Sequence, residues 1–131
     1  MTAPHVQMKA DLFKAMGNPV RIRVLELLSE REWSVGEMVA ELGAGGSALS
    51  QHLSVLRTAG LVQARREAST VYYSVTTPRV ADLLAVARQL RSDLLSLQME
   101  VLSDLRAEDE QDAAGQDAAS DEPATSDRQT G

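Results

Sequence analysis

Apolar residues recur at helical spacing through most of the chain. The first series, Val6, Leu12, Phe13 and Met16, stops at Gly17 and predicts a helix with one buried face. Asn18 suits an N-cap and Pro19 the first helical position. A second helix is therefore predicted, with Val20, Ile22, Val24, Leu25, Leu27 and Leu28 on its core side. Ser34 and Glu37 have the spacing of a capping box and open a third helix through Met38, Val39 and Leu42, which Gly43 ends. Gly45 and Gly46 permit a tight turn. Leu49, Leu53, Val55 and Leu56 then hold a fourth helix on the core up to Gly60, leaving Ser47, Ala48, Ser50, Gln51, His52 and Ser54 mainly outward.

The period next changes to two. Leu61 to Arg66 and Thr70 to Val75 read as paired strands, turned at Glu67 to Ser69, with Val71, Tyr73 and Val75 on one face. Thr77 and Pro78 start a long final helix. In it Leu83, Ala87, Leu90, Leu94, Leu97 and Val101 step by four and three, nearly a coiled-coil seam. Continued to Arg106 this helix would run roughly 40 Å, at about 1.5 Å per residue, longer than so small a body needs to cover. The intramolecular core accounts for its first half, and a partner helix is expected to cover its second. The fold class is thus mainly α with a small β-hairpin. It is a winged helix-turn-helix of five helices plus a two-stranded wing, dimerised through its terminal helices.

Charge changes the picture once it is placed along the chain. The formal net charge is -6, which looks wrong for a nucleic-acid binder. Residues 107–131 hold eight acids against Arg128 alone, a segment charge of -7, so the rest of the chain carries +1. Within that near-neutral body Arg57, Arg65, Arg66 and Arg79 gather around Glu67, a local field that favours phosphate. The domain reading is one winged helix-turn-helix DNA-binding and dimerisation domain over 1–106. Residues 107–131 read as a disordered acidic tail, having almost no large apolar residue to offset the entropy of ordering.

Several functions are excluded by what the sequence lacks. Without cysteine there is no disulfide, thiolate ligand or thiol switch. No run approaches the roughly 20 apolar residues of a bilayer span, and Met1 to Lys9 lacks a basic start followed by an apolar block, so a cytoplasmic location away from membranes is expected. No glycine-rich phosphate cradle, activated nucleophile or His-carboxylate cluster is visible, so catalytic residues are none and an enzyme is not expected. Trp33, Met8, Met16 and Met38 read as core or gap-filling side chains.

The blocks Ala15-Met16-Gly17-Asn18-Pro19-Val20-Arg21-Ile22-Arg23-Val24-Leu25 and Ser50-Gln51-His52-Leu53-Ser54-Val55-Leu56-Arg57-Thr58-Ala59-Gly60-Leu61-Val62 are followed by Arg65-Arg66-Glu67 and Val71-Tyr72-Tyr73. In that order they resemble the ArsR/SmtB family of bacterial winged-helix repressors over nearly all of Asp11 to Leu97. The resemblance implies a homodimer on a pseudo-palindromic operator in double-stranded DNA. Carried over, it puts Ser47, Ser50, Gln51 and His52 in the recognition helix and Arg65, Arg66 and Thr70 in the wing. With their neighbours the candidate DNA-binding set is Ser47, Ala48, Ser50, Gln51, His52, Ser54, Arg57, Arg65, Arg66, Ser69 and Thr70. The candidate dimer interface is Leu83, Ala87, Leu90, Leu94, Leu97 and Val101.

The chain departs from the family pattern at two places. Gly45-Gly46 stand where Ser-Gln is common, and Ala68-Ser69 where the wing tip commonly carries Gly-Arg. Weaker or less selective DNA binding is expected, with a co-regulator protein as an alternative partner through which the dimer would chiefly act. The family's metal sites also fail: its cysteine pair would fall near Ser34 and Gly36, and its final-helix ligands on Thr77, Arg79, Leu90 and Asp93. What is left is His5 of one subunit with carboxylates such as Asp82 or Asp93, a weak nickel or zinc site. No cofactor is certain, and the effector is unassigned.

Overall fold

A computed structural model describes residues 3–126, with side-chain exposure through residue 115. The helices are α1 (Pro4–Met16), α2 (Pro19–Glu30), α3 (Val35–Leu42), α4 (Gly46–Thr58) and α5 (Arg79–Ser126), and the strands β1 (Trp33–Ser34), β2 (Val62–Glu67) and β3 (Thr70–Val75). The chain divides into two units, Met1–Ala87 and Arg88–Gly131.

In the first unit the helix starts are made by the residues whose chemistry suits them. Asn18 Oδ1 accepts from Val20 N at 2.9 Å and Arg21 N at 3.2 Å, satisfying amides that α2 leaves without an internal acceptor. Ser34 and Glu37 form the expected reciprocal box: Glu37 N donates to Ser34 Oγ at 3.1 Å and Ser34 N to Glu37 Oε1 at 2.9 Å. Gly43 closes α3 at φ +66° and Gly60 follows α4 at φ +80°, left-handed conformations that glycine adopts without a Cβ penalty. The fourth helix differs, for its N-cap Gly45 offers no side-chain acceptor.

The core joins Ala15 and Met16 of α1, Val24, Leu25, Leu27 and Leu28 of α2, Met38 of α3, and Leu49, Leu53 and Leu56 of α4. Leu61, Val62 and Val80 close it, with Trp33, Tyr73, Val75, Leu83 and Leu84 packed at its edge. Four residues expected inside lie outside it: Val6, Phe13, Ile22 and Val55 are 46%, 60%, 39% and 39% exposed. At roughly 100° per residue each stands off the arc shared by its helix's buried residues, so apolar character alone misplaced them. Met8 is also exposed.

The sheet has three strands in the order β1-β3-β2, not the two of the hairpin alone. Trp33 and Ser34 pair antiparallel with Tyr73 and Tyr72, a segment too short to show a period in sequence. The hairpin register runs from Val62 opposite Val75 to Glu67 opposite Thr70. This leaves Ala68-Ser69 as a two-residue turn, with Ala68 at φ +56°, a conformation that costs a residue bearing a Cβ roughly 1–2 kcal/mol.

The final helix departs from expectation at its far end. It continues through Ser126, so residues 107–126 are helical where composition predicts a disordered tail; 127–131 lie outside the described residues. Alanine, glutamate and glutamine favour helix without any burial, which a criterion based only on burial overlooks. Within the second unit every side chain from Arg88 to residue 115 is exposed. Among the described residues no helix is long and apolar enough to cross a membrane.

Three measurements follow. Asn18→Ala should lower unfolding free energy by about 1 kcal/mol. Ala68→Gly should raise it, by less than about 1 kcal/mol once the looser unfolded chain is counted. Both are read from denaturant midpoints at unchanged slope. The Ser34 amide and hydroxyl, then Arg31, hold the Glu37 carboxyl below its ordinary value of 4.5. The box therefore stabilises the fold above that pH and fades as pH falls through the lower folded value, so Glu37→Gln should flatten the acid limb of stability against pH.

Candidate nucleic-acid interface

The fourth helix owes its orientation to Leu49, Leu53 and Leu56, all essentially fully buried. Pinning one side of a helix presents the other, and Ser47, Ala48, Ser50, Gln51, Ser54 and Arg57 are all exposed there. Gln51 can donate and accept at a base edge, the serines can bond bases or phosphates, and Arg57 in the last turn adds a cation. Among the described residues Arg57 has no ion pair. Val55 turns away from the core to line an open groove of about 610 Å³ with Asp11, Lys14, Ala15, Arg21, Ser54, Thr58 and Ala59.

His52 is the exception on this helix, being half-buried. Its Nδ1 lies 3.3 Å from Arg21 Nη1, and the same guanidinium donates through Nε to Ala15 O at 2.6 Å and through Nη2 to Lys14 O at 3.4 Å. Arg21 thus ties the carbonyl end of α1 to α4. Sequence reasoning missed it, since nothing in local spacing connects positions 21 and 52.

Strand alternation separates the two adjacent arginines. Arg66, opposite Val71, shares its face with Ala64 and Tyr73, while Arg65, opposite Tyr72, points to the other side. Arg66 has no ion pair among the described residues. Arg65 is occupied: it bonds both carboxylate oxygens of Glu32, at 2.5 and 3.2 Å, pairs with Glu67 at 2.9 Å, and stacks 4.9 Å from the Tyr72 ring centroid. These carboxylates raise the Arg65 pKa further, and Arg65, chiefly through its hydrogen bond, lowers that of Glu32. The two wing arginines, both candidates for phosphate, therefore differ: Arg65 already has anionic partners. Glu32, just ahead of β1, was not among the sequence candidates. Ser69 is exposed at the turn and Thr70 half-buried beside it.

The proposed dimer residues divide between the two units. Leu83 is partly buried against the core of the first unit, on the half of the final helix that the intramolecular core is expected to cover. Ala87 is exposed. In the second unit Leu90, Leu94, Leu97 and Val101 are each more than half exposed, as are Leu95, Met99 and Leu105. His5, Asp82 and Asp93 are exposed, and no group of three or more His, Asp or Glu that could hold a metal occurs among the described residues of one chain. Arg79, the other cation of the basic segment, pairs with Asp82 at 3.3 Å.

Comparison with known proteins bears on this arrangement. The model of the bacterial regulatory protein arsR family matches residues 18–64, from the Asn18 cap into β2. The chain is 50% identical over 105 residues to the uncharacterized HTH-type transcriptional regulator Rv0081 of Mycobacterium tuberculosis, spanning 79% of this chain and 92% of that protein. The Rv0081 crystal structure superimposes with a TM-score of 0.70 at 46% identity, over 75% of this chain and 99% of that one. The biofilm growth-associated repressor of Xylella fastidiosa is 40% identical over 75 residues, 57% of this chain and 66% of that protein. The solution structure of the homodimeric winged helix-turn-helix DNA-binding domain Mb0332 from Mycobacterium bovis gives a TM-score of 0.64 at 31% identity, over 69% of this chain and 83% of that one. With its helix-turn-helix and paired wing in the same order, this chain belongs to the arsR family of bacterial helix-turn-helix transcriptional regulators.

Proposed function

We propose that two copies of this chain bind a pseudo-palindromic operator and repress the genes beside it. The observation that carries this reading is the outer face of α4, where Ser47, Ser50, Gln51 and Ser54 stand exposed over an apolar anchor. A helix so presented fits the major groove, with Gln51 aimed at base edges and Arg57 and Arg66 at phosphates. Twofold pairing supports the same reading. The exposed Leu90, Leu94, Leu97 and Val101 repeat by four and three, a pattern that a second α5 can cover, and Val6 and Phe13 of α1 are apolar side chains equally without cover. The homodimeric state of the Mb0332 domain agrees with it. Two reading heads then meet half-sites about one helical turn apart.

Duplexes tiled across the DNA upstream of the chain's own coding region provide the test, by fluorescence anisotropy at several salt concentrations. One segment should bind far more tightly than random duplex, with affinity falling steeply as salt rises. Equal affinity for all duplexes would defeat specific regulation. Arg66→Ala should weaken binding across all sequences and shallow the salt slope by about one, whereas Gln51→Ala should chiefly relax base preference. Glu32→Gln should have the opposite effect to Arg66→Ala, releasing Arg65 to tighten binding and steepen the slope. Leu94→Asp with Leu97→Asp should convert the dimer to monomer in sedimentation and abolish operator binding with it.

A further inference from the structure

The contact between Arg21 and His52 bears on the chemistry of the histidine as well as its place. A guanidinium only donates hydrogen bonds, so at the 3.3 Å contact Nδ1 of His52 is the acceptor. A neutral ring accepting at Nδ1 carries its proton on Nε2. Arg21 is not free to turn away, because its Nε and Nη2 are spent on the last carbonyls of α1, Ala15 and Lys14. Among the described residues the buried side-chain polar atom lacking a partner is Trp33 Nε1. Among the described residues Nε2 of His52 has no partner either, and since it is not among the buried unpartnered atoms it lies on the accessible side of the half-buried ring, on the helix that carries Gln51 and Ser54.

We propose that Arg21 is a positioning residue that holds His52 in the Nε2–H tautomer, making it an obligate hydrogen-bond donor to the operator. This rests on the DNA-binding reading of α4. A donor at that position selects base-edge acceptors in the major groove, such as guanine O6 and N7 or thymine O4, and disfavours the cytosine amino group. The reading helix is thereby given a base preference by a side chain on a different helix, which itself has no need to touch DNA.

The tautomer is measured first, in the full-length protein without DNA. At about pH 8, where an ordinary imidazole is neutral, long-range proton–nitrogen spectra should give His52 one clearly protonated Nε2 and one clearly bare Nδ1. Exposed His5 should give the averaged pair of an unrestrained ring and serves as internal reference. Arg21→Gln, whose carbonyl can accept from Nδ1–H, should shift His52 toward the His5 pattern, and Arg21→Lys, which still donates, should restore the wild-type one. A His52 pattern already averaged in wild type, or unmoved by Arg21→Gln, overturns the proposal without recourse to any variant's DNA affinity.

The second measurement is selection from a randomised duplex library. Arg21→Gln should erase the bias against cytosine at one position per half-site and cost roughly tenfold in affinity for the preferred duplex, with no further loss when made in a His52→Ala background. Losses that multiply independently overturn the coupling. Failure of this inference alone leaves wild-type duplex binding intact with base preference unaltered by Arg21→Gln; failure of the underlying reading removes duplex binding altogether and takes this proposal with it.

Discussion

The molecule depends on one constraint, the burial of Leu49, Leu53 and Leu56 along a single stripe of α4. A helix has one rotational setting that hides such a stripe, and choosing it decides which side chains face outward. Truncating one of these leucines to alanine would remove about 2–5 kcal/mol, a large share of the stability of a small domain. The outward face of α4 is therefore a consequence of the core. Met38, with Val24 and Leu25, supplies the surface against which the stripe packs, so α2 and α3 act as the bed on which the reading helix lies.

Around that bed, electrostatics are arranged locally rather than by net charge. The acidic residues that make the whole chain negative lie in 107–131, later in the sequence than the arginines of α4 and the wing. Even within the wing the cations differ. Arg65 is compensated by Glu32 and Glu67, while Arg66, one residue on, faces the opposite way and is not. Adjacent arginines in a strand are thus two different chemical groups, because a pleat separates their surroundings.

Much of this was legible in the sequence, and the part that was not was hidden for distinct physical reasons. The caps at Asn18, Ser34 and Gly43 and the stripe of α4 depend on neighbours within four residues, so spacing alone reveals them. The pairing of Trp33 with Tyr73, the bond from Arg21 to His52 and the ion pair from Glu32 to Arg65 each join positions at least thirty residues apart. No periodicity encodes those. Val55, Ile22 and Phe13 were misplaced for a different reason: the sequence shows that a residue is apolar but not that its helix already has a full buried arc. On α5 the seam from Leu90 to Val101 was visible as a repeat, and the helical run beyond Arg106 was obscured by a composition that suits both helix and disorder.

The turn into α4 carries a last implication. Gly45 contributes no side-chain oxygen to the opening amides of that helix, whereas Asn18 and Ser34 do so for theirs. Amides without such an acceptor are left to solvent, so the start of α4 is held by its buried leucines rather than by a cap. Around Gly45 and Gly46 there is open space, with nothing within 4 Å of where a Cβ would stand, so the turn has room for the side-chain acceptor it lacks.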